Sequence, residues 1–244
     1  MRRLCIYVTY DKEKIIDEYI QYMLRELKTC VDKLVVVCNQ MEIVSGKEYL
    51  EENADEIVYR GNVGFDIGAY KDILCDYLGW KKVLEYEELV LVNDSFYGSF
   101  IPLANIFQEM ERKNVDFWSL TKHKEQINNH IYSLEHLQSF WIVVKQKMLR
   151  SREFMQYWSN VPYYTNFFDL VDQFEKKFTF YFRERGYSYD CYADMNINDT
   201  RTVENNFNQY AFISNELIRH REFPFLKRKQ ISYDNIDRQT QENH

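Results

Sequence analysis

Glycine and proline are scarce in this chain of 244 residues, at 7 and 3, which excludes a collagen-like repeat and a low-complexity, linker-rich architecture. Long apolar runs are missing too. Nothing approaches about 18 consecutive apolar residues, so no segment reads as a membrane-crossing helix. Met1-Arg2-Arg3 followed by Leu4-Cys5-Ile6-Tyr7-Val8 turns polar too soon for a signal peptide and reads as a first strand. The cysteines (Cys5, Cys30, Cys38, Cys75, Cys191) are odd in number and widely spaced, with no Cys-x-x-Cys pair. That argues against a disulfide frame or a zinc site and for free thiols in a cytoplasmic setting. Positive charge is in deficit, with a formal net charge of −7, so a general affinity for nucleic-acid backbones is not expected. A small basic pocket for a diphosphate stays compatible with that balance.

What the chain has in plenty is aromatic side chains, 17% of the whole, with 20 Tyr and 17 Phe. Most serve as core and half-buried surface, although tyrosine also suits the faces of sugar rings. Strand and helix signals alternate through the first half. Leu4 to Thr9 reads as a strand, Asp11 as the cap of a helix carrying Ile16, Ile20, Met23 and Leu27, and Lys33 to Asn39 as a second strand. Its continuous Leu34-Val35-Val36-Val37 run suits a parallel strand buried on both faces. A short strand at Glu56 to Tyr59, a helix from about Ala69 to Leu78 stopped by Gly79, and a strand at Glu88 to Val92 follow. Pro102 opens a helix with Leu103, Ile106, Phe107 and Met110 inward, and Asp116 to Leu120 is one more strand. The order implies an α/β fold with a mostly parallel sheet flanked by helices.

The second half is more helical. Gln138 to Val144 is strand-like, a helix runs from about Gln146 to Trp158, and Val171, Phe174, Phe178, Tyr181 and Phe182 mark another ending at Gly186. A short helix is expected near Ala211 to Arg219, then Phe223-Pro224-Phe225-Leu226-Lys227. One domain is expected over 1–244, as a first half (1–121), a second half (122–229) and a polar tail (230–244).

Chemistry concentrates where glycine does. Three of the glycines fall in Gly61-Asn62-Val63-Gly64-Phe65-Asp66-Ile67-Gly68, after a strand and before a helix. The spacing matches neither a dinucleotide fingerprint nor a P-loop. It offers a tight turn with free N–H groups near a helix N-terminus, and Asn62 and Asp66 can reach a ribose, a base or a sugar hydroxyl. The competing reading is a structural turn in which Asp66 caps the helix. Asn93-Asp94-Ser95 ends the buried strand Leu89 to Val92, where ligands bind in open α/β sheets. A carboxylate there can hold Mg²⁺ or Mn²⁺ against a diphosphate, or merely close an Asx-turn. His136 and Gln138 stand at a strand start, where their side chains could face the same crevice; the competing reading of a lone histidine is a satisfied surface or core residue. Glu175 edges an apolar helical stripe, where burial would raise its pKa and make it a general base.

Together these segments resemble the rhamnan synthesis protein F family of bacterial glycosyltransferases. The match is carried by Arg60 to Lys71, Val92 to Gly98, His136 to Phe140, Phe174-Glu175 with Gly186-Tyr187, and Phe223 to Lys227. The resemblance implies a GT-A-like, Rossmann-like sheet and transfer of a sugar, rhamnose from dTDP-rhamnose, to a growing cell-surface polysaccharide. It implies Asp94 on a divalent metal or the diphosphate, supported by Asn93 and Ser95. Tyr10, Asp11, Arg60, Asn62, Gly64, Asp66 and Lys71 fall to the donor. His136, Gln138 and Lys227 fall to the acceptor or donor sugar, and Glu175 to the base. The acceptor is expected to be a glycan or lipid-linked glycan, met in the cytoplasm or at the inner face of the membrane by peripheral association. Asn93-Asp94-Ser95 departs from the Asp-x-Asp of many GT-A enzymes. That leaves open a metal-free site with Arg60, Lys71 or Lys227 on the diphosphate, and also a catalytically silent nucleotide- or glycan-binding module. A Rossmann-like enzyme that modifies the nucleotide sugar itself is a third possibility.

Overall fold

The first strand, β1 (Arg3–Thr9), is buried over its whole length because both of its faces are covered. Cys5 and Tyr7 join one apolar cluster and Leu4, Ile6 and Val8 another, the alternation that a period of two imposes. The computed structural model describes residues 1–128, 131–194 and 223–228. After β1 come α1 (Glu18–Lys28), β2 (Lys33–Cys38), α2 (Lys47–Asn53), β3 (Glu56–Tyr59), α3 (Phe65–Lys71), α4 (Gly79–Val83), β4 (Glu88–Asn93), β5 (Phe96–Gly98), α5 (Leu103–Arg112) and β6 (Phe117–His123). Then follow β7 (Gln126–Asn128), β8 (Ile131–Ser133), β9 (His136–Leu137), β10 (Trp141–Lys145), α6 (Gln146–Leu149), α7 (Arg152–Asn160), α8 (Phe167–Leu170), α9 (Lys176–Arg183), β11 (Tyr189–Ala193) and β12 (Phe225–Lys227). Two π-helical turns, Asp72–Tyr77 and Val171–Glu175, continue α3 and α8.

The central sheet has the order β11-β6-β10-β4-β1-β2-β3, with β9 paired to β6. β1 lies parallel to β2 and β4, β2 to β3, and β6 to β11. The mostly parallel α/β sheet expected of a GT-A-like chain is therefore present. β9 pairs antiparallel with β6, and β10 runs antiparallel between β4 and β6. Its apolar Trp141-Ile142-Val143-Val144 run looks like that of a parallel strand, so the sequence does not reveal the reversal. The reversal matters: it brings the start of β10 to the edge where β1, β2, β3 and β4 end.

One face of the sheet is covered by α1 and α5, the other by α3, α7 and α9. Helix α1 illustrates the drive. Ile20, Met23, Leu24 and Leu27 recur at helical spacing and are fully buried, each contributing about 1.5–3 kcal/mol relative to exposure.

Several boundaries differ from the sequence reading. Asp11 caps no helix; it accepts from Glu13 N in a turn, and α1 begins only after Asp17. Helix α3 starts at Phe65, inside the glycine-rich stretch, and Gly79 opens α4 instead of ending the region. The expected helix from Gln146 to Trp158 is broken at Ser151, whose hydroxyl caps α7 by accepting from Phe154 N. The helix expected near Ala211 and the polar tail lie outside the described residues. All the cysteines are free thiols. Among the described residues no helix is long and apolar enough to cross a membrane.

Candidate active site

Because β1 and β4 are parallel neighbours, their carboxyl ends place Thr9 and Asp94 side by side. Asp94 Oδ2 accepts from Thr9 Oγ1 at 2.9 Å and from Tyr10 N at 3.2 Å, and Arg228 Nη1 stands 3.4 Å away. The side chain is 13% exposed. Burial outweighs these donors and Arg228, and lifts the carboxyl from its ordinary 3.8 to about 6. Between those values the folded protein binds more proton than the unfolded chain, so this group's contribution to stability falls as pH rises through the window. At neutral pH the fold carries the cost of that buried charge. Asp94→Asn, which keeps an acceptor for Thr9 and Tyr10, should therefore stabilise the protein at pH 7.5 by about 1–3 kcal/mol, a gain absent below about pH 4. Denaturant melts of both proteins at the two pH values read the difference.

The glycine-rich turn meets the same edge. Asn93 Nδ2 donates to Asp66 Oδ2 at 2.6 Å, so one amide ties the two motifs together. Asp66 Oδ1 accepts from Ile67 N, and burial pushes the Asp66 carboxyl up, with the charge of Glu175 adding to the rise. Gly64 at φ 72° and Phe65 at φ 57° are both left-handed, an unfavourable conformation for phenylalanine that the surroundings must hold. Asn39 Nδ2 does so, donating to Phe65 O at 3.0 Å and to Asn62 Oδ1 at 3.1 Å. Arg60 completes the brace through Asp72 Oδ2, Asn39 Oδ1 and Val63 O. Lys71 donates to Val161 O at 2.5 Å and lies over the Tyr163 ring. Arg60 therefore braces the turn, and Lys71 pins α3 to Val161 and Tyr163.

The reversed strand supplies the third wall. Phe140 O accepts from Asn93 N at 3.1 Å, and the preceding Ser139 donates to Glu175 Oε2 from its N–H at 2.9 Å and its hydroxyl at 2.5 Å. Burial opposes ionisation of Glu175. Lys227, the Ser139 hydrogen bonds and His123 outweigh it, holding the carboxyl below the ordinary glutamate value. The raised pKa expected from its position on an apolar stripe is thus corrected: the stripe predicts the burial and not the donors waiting inside. His136 and Gln138 are buried rather than lining the crevice. The His136 ring stacks on His123 at 5.1 Å with Nδ1 against Leu134 O, and Gln138 bonds to Thr121 Oγ1 and His123 Nε2. Burial, then His136, drives His123 down to about 4, so it is neutral at pH 7.

The remaining expected residues fall on the rim. Tyr10 is 41% exposed. Asp11 N donates to Gln40 Oε1, and Asp11 Oδ2 lies 4.0 Å from Arg228. Ser95 N bonds to Asn93 Oδ1, closing the Asx-turn, while Ser95 O accepts from Arg228 N. Thr9, Asn39, His123, Ser139 and Arg228 escape the sequence reading. Only Arg228 has a legible signal, the Lys227-Arg228-Lys229 run in an acidic chain.

A divalent ion on Asp94 needs further oxygen ligands around one point. Among the described residues no group of Asp, Glu, His or Cys side chains forms such a set. The space beside Asp94 Oδ2 is taken by a guanidinium, which would repel the ion. The described residues thus offer one carboxylate beside a guanidinium here, and no ready-made cage for the expected Mg²⁺ or Mn²⁺.

The strand ends thus bring Asp94, Asp66 and the glycine turn together at one edge of the sheet. The chain belongs to the rhamnan synthesis protein F family, whose model matches residues 34–243. It is similar to the uncharacterized protein y4gN of Sinorhizobium fredii, 24% identical over 157 residues. That match covers 63% of this chain and 39% of the relative, so the chain spans about two-fifths of that protein's length. Among solved structures, 4-diphosphocytidyl-2C-methyl-D-erythritol synthase from Anaerococcus prevotii gives a TM-score of 0.45 at 12% identity, over 82% of this chain and 95% of that one. A glycosyltransferase involved in glycosylating the major capsid of PBCV-1 gives 0.38 at 11% identity, over 92% and 93%.

Proposed function

We propose that this protein transfers a sugar from a nucleoside-diphosphate donor to a glycan, with rhamnose from dTDP-rhamnose as the donor its family description favours. The observation that supports the reading is the hydrogen bond from Asn93, the chain neighbour of Asp94, to Asp66, which joins the glycine turn to the end of β4, with Glu175 near enough for its charge to act on Asp66. In the reaction the acceptor hydroxyl oxygen attacks the anomeric carbon. The bond from that carbon to the diphosphate oxygen breaks, its electron pair leaving with the nucleoside diphosphate. The hydroxyl proton passes to Glu175, which is ionised at neutral pH. Asp66 and Asp94 fix the donor, with Asn62, Gly64, Tyr10, Asp11, Asn93 and Ser95 along the walls. Lys227 stands beside the sugar. His136 and Gln138 act at one remove, holding His123. The acceptor is a glycan or lipid-linked glycan, reached at the inner membrane face.

The test is incubation with dTDP-rhamnose and other nucleotide sugars, with and without rhamno-oligosaccharide acceptors. Release of nucleoside diphosphate coupled to a lengthened glycan supports the reading. A silent binding module, which the Asn93-Asp94-Ser95 departure favours, would give a thermal shift with no nucleotide released, and that result would sink the transfer.

A further inference from the structure

We propose that Arg228, the residue that follows the short strand β12, supplies the fixed positive charge that receives the donor's diphosphate, in place of a divalent ion. This rests on the nucleotide-sugar reading above.

The placement follows from strand geometry. β12 pairs antiparallel with β5, with Phe225 opposite Gly98 and Lys227 opposite Phe96. Phe225 is buried and anchors the strand edge-on to Phe96 at 5.1 Å, with Trp141 at 6.1 Å. The approach is close: a Cβ on Gly98, whose φ is 128°, would meet Pro224 O at 2.6 Å. Beyond this anchor, Arg228 N donates to Ser95 O at 3.0 Å, which fixes the residue directly over the Asx-turn. Lys227, the last residue of β12, covers the Phe140 ring at 4.3 Å, and its charge acts on Glu175. Arg228 turns to Asp94, with Nη1 3.4 Å from both its main-chain O and Oδ2. Its guanidinium also lies 5.0 Å from the centre of the Tyr19 ring and reaches toward Asp11.

A guanidinium has five N–H donors in a planar fork. The long contacts to Asp94 and Asp11 leave donors for phosphate oxygens, the ligand that fork matches best. The nearby carboxylates keep the cation in register while the crevice is empty. When the diphosphate enters, Asp94 orients the guanidinium, and the accumulating charge on the leaving group meets a positive group that need not move.

The experiment measures binding of dTDP, UDP and GDP to the full chain by calorimetry, in EDTA and in Mn²⁺, for wild type, Arg228→Gln and Arg228→Lys. The proposal expects wild-type affinity unchanged by EDTA and weakening with salt. It expects Arg228→Gln to bind about 10- to 100-fold more weakly, with Arg228→Lys recovering part of the loss because it restores charge without the fork. Binding by wild type that EDTA abolishes, or equal affinity of wild type and a folded Arg228→Gln, overturns it. The EDTA arm needs no variant, so a misfolded substitution does not rescue the idea. Wild type that binds none of the three overturns the nucleotide-sugar reading itself, an outcome separate from the others.

Discussion

Glu175→Gln should lower the rate of sugar transfer by about 10²- to 10⁴-fold, the usual range for removing a positioned acid–base group, while donor affinity stays near that of wild type. The side-chain oxygen of glutamine can still accept from Ser139, so the wall of the crevice keeps its shape. What disappears is the ability to take the acceptor's proton. The pH profile supplies the second half of the test. Glu175 is held below the ordinary glutamate value, so it stays ionised well into acid. Asp94 is lifted to about 6 and loses its charge first. Wild-type transfer should thus fall on acidification through about pH 6 as Asp94 takes up its proton, with Asp66, also raised by burial, adding to the loss. Asp94→Asn, expected to be more stable at neutral pH, should be nearly inactive and lack the Asp94 part of that limb. A Glu175→Gln protein that turns over like wild type would remove Glu175 from the chemistry.

The second large effect concerns the turn. A Cβ on Gly68 would lie 2.2 Å from Val63 O and 3.2 Å from the Tyr163 ring. The first is a backbone atom inside a turn already braced by Asn39 and Arg60, so it has no cheap escape. Gly68→Ala should cost about 3 kcal/mol or more, beyond the gain alanine ordinarily brings to a helix. Thermal melts read that loss directly. Donor binding should suffer with it, because the displaced turn takes Asp66 away from Asn93. Gly61 is the internal control: a Cβ there meets nothing within 4 Å, and Gly61→Ala should be close to neutral.

Much of this architecture can be read from the chain because the strands announce themselves. Runs such as Leu34-Val35-Val36-Val37 and Leu89-Val90-Leu91-Val92 have nowhere to go but a sheet covered on both faces, and glycine clusters where strand meets helix. The functions of individual polar residues are harder to read, for a physical reason. Whether Arg60 faces a ligand or braces a turn depends on Asp72 and Asn39, and Lys71 depends on the carbonyl of Val161, partners set by tertiary contacts. Glu175 shows the same gap: helical periodicity places it, but its ionisation is decided by Ser139 and Lys227, which arrive on other elements. The basic run around Arg228 is visible in the sequence, but such a run usually marks a solvated surface, so its pairing with Asp94 is not.

Arg228 also has a consequence for the order in which the molecule matures. It is separated from Asp94 by 134 positions, and β5 can acquire its β12 partner only after that length has been synthesised. Contacts so distant in sequence form late, since closing a long loop must precede any reward from the contact. A nascent polypeptide thus assembles its central strands before Arg228 can reach Asp94, and ribosome-bound chains halted before β12 should bind a nucleotide more weakly than the full chain.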